Sequence, residues 1–232
     1  AGARHTCIEP DIVSTMNSAR ILALALSAVA IGAAVAQTDT QVFHSGSGLP
    51  YENLFSAGAR HTCIINASKL LCWGDCELNN CFPPSDDFFS VSAGYWHTCA
   101  LKLPASGIPA EAGGDIVCWG SGYALQESVP PKGKAVAVSA GFSHTCAVMA
   151  SDRALRCWGY QVDEAKVPGG RFAAVVSTGN RQTCAVREED SSAVCFSLGE
   201  GGASWDGELD PPGGQYAGVS CGGGHCCAMD VE

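Results

Sequence analysis

Positive charge is scarce in this sequence. Thirteen Lys and Arg stand against 23 Asp and Glu, for a formal net charge of -10. That balance argues against nucleic acid and against an anionic membrane surface as partners, since both are held by clustered cations. Catalytic arrangements are missing as well. There is no Ser/His/Asp set, no HExxH and no phosphate loop, and the acidic residues scatter through segments of unequal length with no pair at a fixed spacing. The glycines of 197–210, SLGEGGASWDGELD, precede no obvious helix and read as a flexible surface loop. A membrane-spanning run is also lacking. The apolar stretch 21–36 holds 16 residues, many of them Ala, where roughly 20 are needed to cross a bilayer. These absences predict a non-enzyme with no cofactor and no metal.

Cysteine and glycine, by contrast, are abundant, at 14 and 28 residues, and they recur in order. Residues 139–159, SAGFSHTCAVMASDRALRCWG, show the pattern most cleanly. A small-residue turn leads into HTC, an apolar run follows, then a polar turn, then a second apolar run ending in Cys-Trp-Gly. Two short apolar runs split by a polar turn read as a β-hairpin. The turn glycine recurs as Gly58, Gly94, Gly141, Gly179 and Gly222, and a cysteine always follows five residues later. The spacings between those glycines are 36, 47, 38 and 43, so only the loops vary. A period near 40 residues is the signature of a propeller or solenoid. The sequence predicts an all-β fold, a β-propeller of about five blades with three or four strands each, nearly free of helix after residue 37.

Cysteine parity points to the staples of that fold. The two cysteines of each hairpin lie 9, 19, 11 and 11 positions apart. An odd separation places two residues opposite each other, on one face, across a hairpin with an even loop. Opposed residues at a non-hydrogen-bonded pair are within disulfide reach. The expected bonds are Cys63–Cys72, Cys99–Cys118, Cys146–Cys157 and Cys184–Cys195, with Cys76–Cys81 as a small extra loop disulfide in GDCELNNC. Reduced buried cysteines or Cys/His zinc sites are the alternatives; zinc needs four converging ligands, and each repeat offers a lone pair. Cys227 sits at the HTC position of the fifth repeat, with Cys221 and Cys226 as nearby candidate partners.

In chain order, 1–15 is an unassigned or artefactual extension: 1–8 repeats the octamer AGARHTCI of 57–64, and Cys7 receives no role. Residues 16–36 have the form of a signal peptide, with Arg20, an apolar run and a small-x-small cleavage site, and a retained anchor helix is the alternative. Residues 37–232 form the repeat domain, long enough for one full core. Within it, 37–49 can be laid on the second half of the second repeat, and it is expected to supply the missing strand of the fifth repeat and so close the propeller. Asn66-Ala67-Ser68 is an N-glycosylation acceptor at an expected hairpin tip. With 14 cysteines beside a leader, the chain reads as secreted or extracytoplasmic, with an organelle lumen or a membrane-anchored location as the alternative.

The repeat SAG-x-x-HTCAL followed by CWG and a proline resembles that of the regulator-of-chromosome-condensation superfamily, and in style the secreted propeller-type β-lactamase inhibitor protein within it. The resemblance runs from residue 50 to 232. It implies a propeller, and it says little of function, because partners differ between members. Members usually have seven blades, whereas this chain has material for five. The paired cysteines belong to extracytoplasmic relatives and not to the nuclear exchange factor.

His61, His97, His144 and His225 recur at one position. The fourth repeat has Gln182 there and Phe196 in place of the tryptophan; a residue that recurs through a repeat serves the repeat, so each His is expected to hydrogen-bond backbone in its own turn, and Trp73, Trp119 and Trp158 to pack between blades. The two positions between glycine and histidine vary instead. They hold Ala59-Arg60, Tyr95-Trp96, Phe142-Ser143, Asn180-Arg181 and Gly223-Gly224. Lying in equivalent turns, Arg60, Tyr95, Trp96, Phe142, Asn180 and Arg181 are expected to share one rim, and aromatic and Arg residues are enriched in interface hot spots. In the inhibitor relative this rim holds the partner, and similarity implies the same use here; covering the blade ends is the competing reading. The function expected is a non-enzymatic protein-binding module, with a structural subunit of a larger assembly or a carbohydrate-binding propeller as alternatives.

Overall fold

The computed structural model describes residues 41–42, 55–105, 112–121, 129–160, 162–177, 182–198, 209–222 and 225–231. The chain divides between Ala1–Ala36 and Gln37–Glu232; the first part, with Cys7 and the segment expected to be a leader, lies outside the described residues. Among the described residues the rest is all-β apart from one 3-10 turn, Glu164–Lys166.

Each repeat folds as the pattern directs. The first contains β2 (Phe55–Ala57), β3 (His61–Asn66) and β4 (Lys69–Gly74); the second β5 (Phe88–Ala93), β6 (His97–Lys102) and β7 (Gly114–Gly120). The third contains β8 (Lys134–Ala140), β9 (His144–Met149) and β10 (Leu155–Gly159); the fourth β11 (Phe172–Ser177), β12 (Gln182–Arg187) and β13 (Ala193–Ser197); the fifth β14 (Tyr216–Cys221) and β15 (Cys226–Asp230). All pair as antiparallel meanders. β7 also bridges to β8 at Gly114 and Asp115, which joins the second and third repeats in one six-stranded sheet. A register shift recurs at one place in repeats two to five, between Phe88 and Ser90, Ala135 and Ala137, Phe172 and Ala174, and Tyr216 and Gly218. Such a bulge sharpens the local twist.

The register places Cys63 opposite Cys72, Cys99 opposite Cys118, Cys146 opposite Cys157 and Cys184 opposite Cys195. All four pairs are bonded, as is Cys76–Cys81. In the fifth repeat Cys221 bonds to Cys226, so neither is the partner of Cys227, which is itself disulfide-bonded. The hairpin tip of the first repeat is a two-residue turn at Ala67 and Ser68, with φ of 47° and 67°, and Asn66 beside it is exposed.

The core lies between repeats rather than within them. Ile65 and Leu70 of the first pack against Phe88 and Val91 of the second. Leu101 of the second meets Val138 and Met149 of the third; Val148 and Leu155 of the third meet Phe172 and Phe196 of the fourth; Val186 of the fourth meets Tyr216 and Val219 of the fifth. The aromatic that ends each hairpin leans on the repeat before it. Trp119 packs on the first repeat's cluster, Trp158 on the second's and Phe196 on the third's. Trp73 departs from the expectation. It is 42% exposed, because among the described residues no hairpin precedes it to supply that surface.

The N-terminal strand also differs from expectation. β1 (Gln41–Val42) pairs with β2, placing Gln41 opposite Ala57 and Val42 opposite Ser56. These two residues therefore add to the first sheet and not to β15, and they also lie against β14 of the fifth repeat; the rest of 37–49, with Phe43 and His44, lies outside the described residues. No strand pairs with β15 on its other side among the described residues.

Candidate functional site: an aromatic rim on a ladder of histidines

The rim is set by how closely the glycine turns approach one another. In four of the turns the glycine N–H donates to the histidine carbonyl, at 2.8 Å for Gly58–His61, Gly94–His97, Gly141–His144 and Gly222–His225; Gly179 lies outside the described residues. Successive turns then touch. Ala59 N–H donates to Gly94 O at 3.4 Å, and Tyr95 N–H to Gly141 O at 3.0 Å. A Cβ on Gly58 would lie 2.3 Å from Gly94 O, and one on Gly94 2.5 Å from Gly141 O. Only glycine permits that approach, so the variable pairs of neighbouring turns are brought side by side.

Four of the expected rim residues meet there. The Tyr95 ring lies 4.3 Å from that of Trp96 and 4.5 Å from that of Phe142, while Trp96 and Phe142 are 5.9 Å apart. These are the tilted and edge-on distances that aromatic pairs favour. The Arg60 guanidinium sits 5.8 Å from the Trp96 ring centre, within cation–π range, and pairs with Asp75 at 3.2 Å. The three aromatics are half-buried and Arg60 is exposed. Asn180 and Arg181 lie outside the described residues.

Beneath the rim, three of the histidine side chains reach past their own turns to the next repeat, while His225 is exposed. His61 Nε2 lies 2.6 Å from Thr98 Oγ1, His97 Nε2 2.7 Å from Thr145 Oγ1, and His144 Nε2 2.9 Å from Thr183 Oγ1. The expectation of a bond within its own turn holds for the histidine carbonyl, not for the ring. Serine ties the same joints, since Ser56 Oγ accepts from Ala93 N–H and Ser92 Oγ from Ala140 N–H, both at 2.9 Å. At the first joint the proton positions can be assigned. Thr98 Oγ1 donates to Asn80 O at 3.0 Å, so His61 Nε2–H must donate to Thr98. His61 Nδ1 then accepts from Asn80 Nδ2 at 3.0 Å, and the ring is neutral. Trp119 Nε1–H also donates to Asn80 O, at 2.8 Å.

Asn80 is thus a buried hub between the first two repeats, fixed by the Cys76–Cys81 loop. In the sequence that loop shows only as an extra disulfide that no other repeat has, and nothing there marks Asn80 as a contact. In the next joint the counterpart atoms, His97 Nδ1 and Trp158 Nε1, are buried without a protein partner among the described residues.

Burial pushes the pKa of His61 down to about 4, opposed by the charge of Asp75. His97 is pushed down to about 3 by burial, then by the nearby His144 and His61. His144 is pushed to about 4 by burial. These imidazoles are neutral structural groups turned toward threonines, and they do not converge on a common point as metal ligands would.

Residues 135–163 match the regulator of chromosome condensation (RCC1) repeat. The fold is similar to that of the crinkly WD40 ectodomain of the Arabidopsis thaliana receptor kinase ACR4, at 26% identity and a TM-score of 0.50 over 62% of this chain and 48% of that one. It is also similar to the ectodomain of the Physcomitrella patens receptor kinase CR4, with 24% identity, a TM-score of 0.55, and 67% and 41% of the two chains covered. Yeast RCC1 (Prp20), solved bound to Kap60, aligns at 12% identity with a TM-score of 0.52 over 82% of this chain and 56% of that one. This chain spans about half the length of these solved relatives. No curated protein matches the sequence significantly.

Proposed function

We propose that this RCC1-type propeller chain is a non-enzymatic protein-binding module that docks its partner on the rim formed by Arg60, Tyr95, Trp96 and Phe142. One observation carries the reading. The turn is fixed at its glycine and histidine and free between them, and there the fold gathers three half-buried aromatics and a stacked guanidinium into one patch. Flat aromatic area offers large contact at small entropic cost, and Trp, Tyr and Arg are the residues that dominate interface energetics. Relatives in fold support a binding role: the receptor kinases carry this propeller as an ectodomain, and yeast RCC1 was solved bound to another protein. Six disulfides among the described residues support an extracytoplasmic site of action.

A carbohydrate-binding role fits less well, because a lectin site repeated per blade needs the same platform in each, and these rim residues change from repeat to repeat. No reaction is part of the proposal, since the recurring histidines of the first three repeats are each held to a threonine of the next repeat. Capture from the native source fraction, using wild type and a Tyr95→Ala/Trp96→Ala/Phe142→Ala variant as paired baits, tests the reading. The variant should lose the specific partner while keeping its disulfides and β-sheet circular dichroism; equal recovery by both baits would remove the rim from consideration.

A further inference from the structure

The joint between the fourth and fifth repeats is built from different atoms. Gln182 stands where the other repeats have histidine, and Cys226 stands at the threonine position, opposite Cys221. Gln182 Nε2 lies 3.9 Å from Cys226 Sγ, the place of a His–Thr contact elsewhere. At the second and third joints the sulfurs of Cys99 and Cys146 face the hydroxyls of Thr145 and Thr183, at 3.7 and 3.6 Å. At the fourth joint Cys184 Sγ instead faces Cys226 Sγ at 3.3 Å. The sulfurs of Cys184, Cys195 and Cys226 all lie within 4.8 Å of one another. Two disulfides, Cys184–Cys195 and Cys221–Cys226, are therefore in contact across the joint. An oxygen at this position cannot exchange with a disulfide, whereas a sulfur can.

We propose that this four-sulfur cluster is a thiol–disulfide exchange site whose co-substrate is a dithiol. The point of entry is Cys226, a half-buried residue, whereas Cys221 is buried. The dithiol's first thiolate attacks Cys226 Sγ, forming a mixed disulfide and expelling the Cys221 thiolate. Its second thiolate closes the oxidised dithiol and releases the Cys226 thiolate. Freed from Cys221, Cys226 Sγ can turn about its Cα–Cβ bond into line behind the Cys184–Cys195 bond. It then attacks Cys184 Sγ, the Cys184–Cys226 bond forms, and Cys195 leaves as a thiolate that takes up a proton. Two electrons enter, two thiols appear, at Cys195 and Cys221, and one disulfide now joins the fourth repeat to the fifth. A staple inside one hairpin becomes a staple between hairpins. This chemistry is independent of what binds the rim.

Limited reduction of the folded full chain with dithiothreitol, acid quenching, alkylation and peptide mapping tests the site. The expected product links the Cys184 and Cys226 peptides and carries alkylated Cys195 and Cys221. Cys76–Cys81 has the same sequence separation, 5 residues, and serves as an internal control that should open to two alkylated cysteines without re-pairing. Alkylation of both Cys221 and Cys226 while Cys184–Cys195 stays intact would overturn the proposal. A second test needs no reductant. In Cys221→Ser the odd thiol should be found at Cys195 in a substantial fraction of molecules, with Cys184 bonded to Cys226; a thiol found at Cys226 alone would contradict the proposal. Should that variant fail to fold, the wild-type mapping decides.

Discussion

At the scale of the residue, the chain shows how one side chain can serve two repeats. The imidazoles of His61, His97 and His144 are neutral, buried, and joined to threonines of the next repeat. Their folded pKa values lie below the ordinary value of 6.5, at about 4, 3 and 4. The unfolded chain therefore binds protons first as pH falls. The stability these groups contribute is fully present above about pH 6.5 and is lost as pH falls from there to about 4 for His61 and His144 and about 3 for His97, with each proton adding about 1.4 kcal/mol per pH unit to the slope. Urea midpoints measured from pH 7 to pH 4 should fall accordingly. His97→Gln, which imports the residue that Gln182 places at the same position, should lower that slope by about one proton; an unchanged slope would show that His97 does not carry it. Asn80→Ala removes the donor to His61 Nδ1 and leaves a buried acceptor unpaired, a loss of about 1–3 kcal/mol readable by denaturant unfolding.

At the scale of the element, the unit that packs is the joint and not the hairpin. Hairpin existence, the strand order within each repeat and the opposed cysteines were legible from the sequence, because alternation and odd spacing are local and repeat several times over. The joint was not. That His61 meets Thr98, or that Asn80 ties His61 to Trp119, depends on how one twisted sheet lies against the next, and no spacing along one repeat reports it. Trp73 makes the same point: its motif matches that of Trp119 and Trp158, and its exposure differs only because of what lies beside it. Gly94 tests the joint most sharply. Its backbone is not in the left-handed region, so Gly94→Ala acts through space alone, driving a methyl into Gly141 O and to 3.2 Å from the Ala140 Cβ. Overpacking of this kind costs about 1–3 kcal/mol, and it should also part the Tyr95 and Phe142 rings. Tm should drop and intrinsic Trp fluorescence should shift together.

At the scale of the whole molecule, the repeats stack so that each contacts its neighbours, as in other quasi-one-dimensional folds. One consequence is that surface variation is concentrated where the repeat is free to change, between the turn glycine and the residue at the histidine position. The net charge of -10 predicts weak binding to nucleic acid and to anionic membrane, both of which are held by clustered cations. The rim could be located in the sequence because its positions sit between two fixed residues in each turn; that its aromatics touch one another required the glycine turns to be seen in contact. Asn66 offers a separate check on compartment. Exposed beside its two-residue turn, it should carry an N-glycan in protein taken from a eukaryotic secretory source, seen as a glycosidase-sensitive mass; unmodified Asn66 there would count against secretory passage.

The most direct measurement of rim binding is site-specific photocrosslinking. A benzophenone amino acid placed at Trp96, and separately at Phe142, should give the same covalent adduct to one partner protein in the native source fraction. The same probe at the exposed Glu189 should give none. Adducts from position 189 with none from 96 or 142 would place the binding surface elsewhere and contradict the rim as the site.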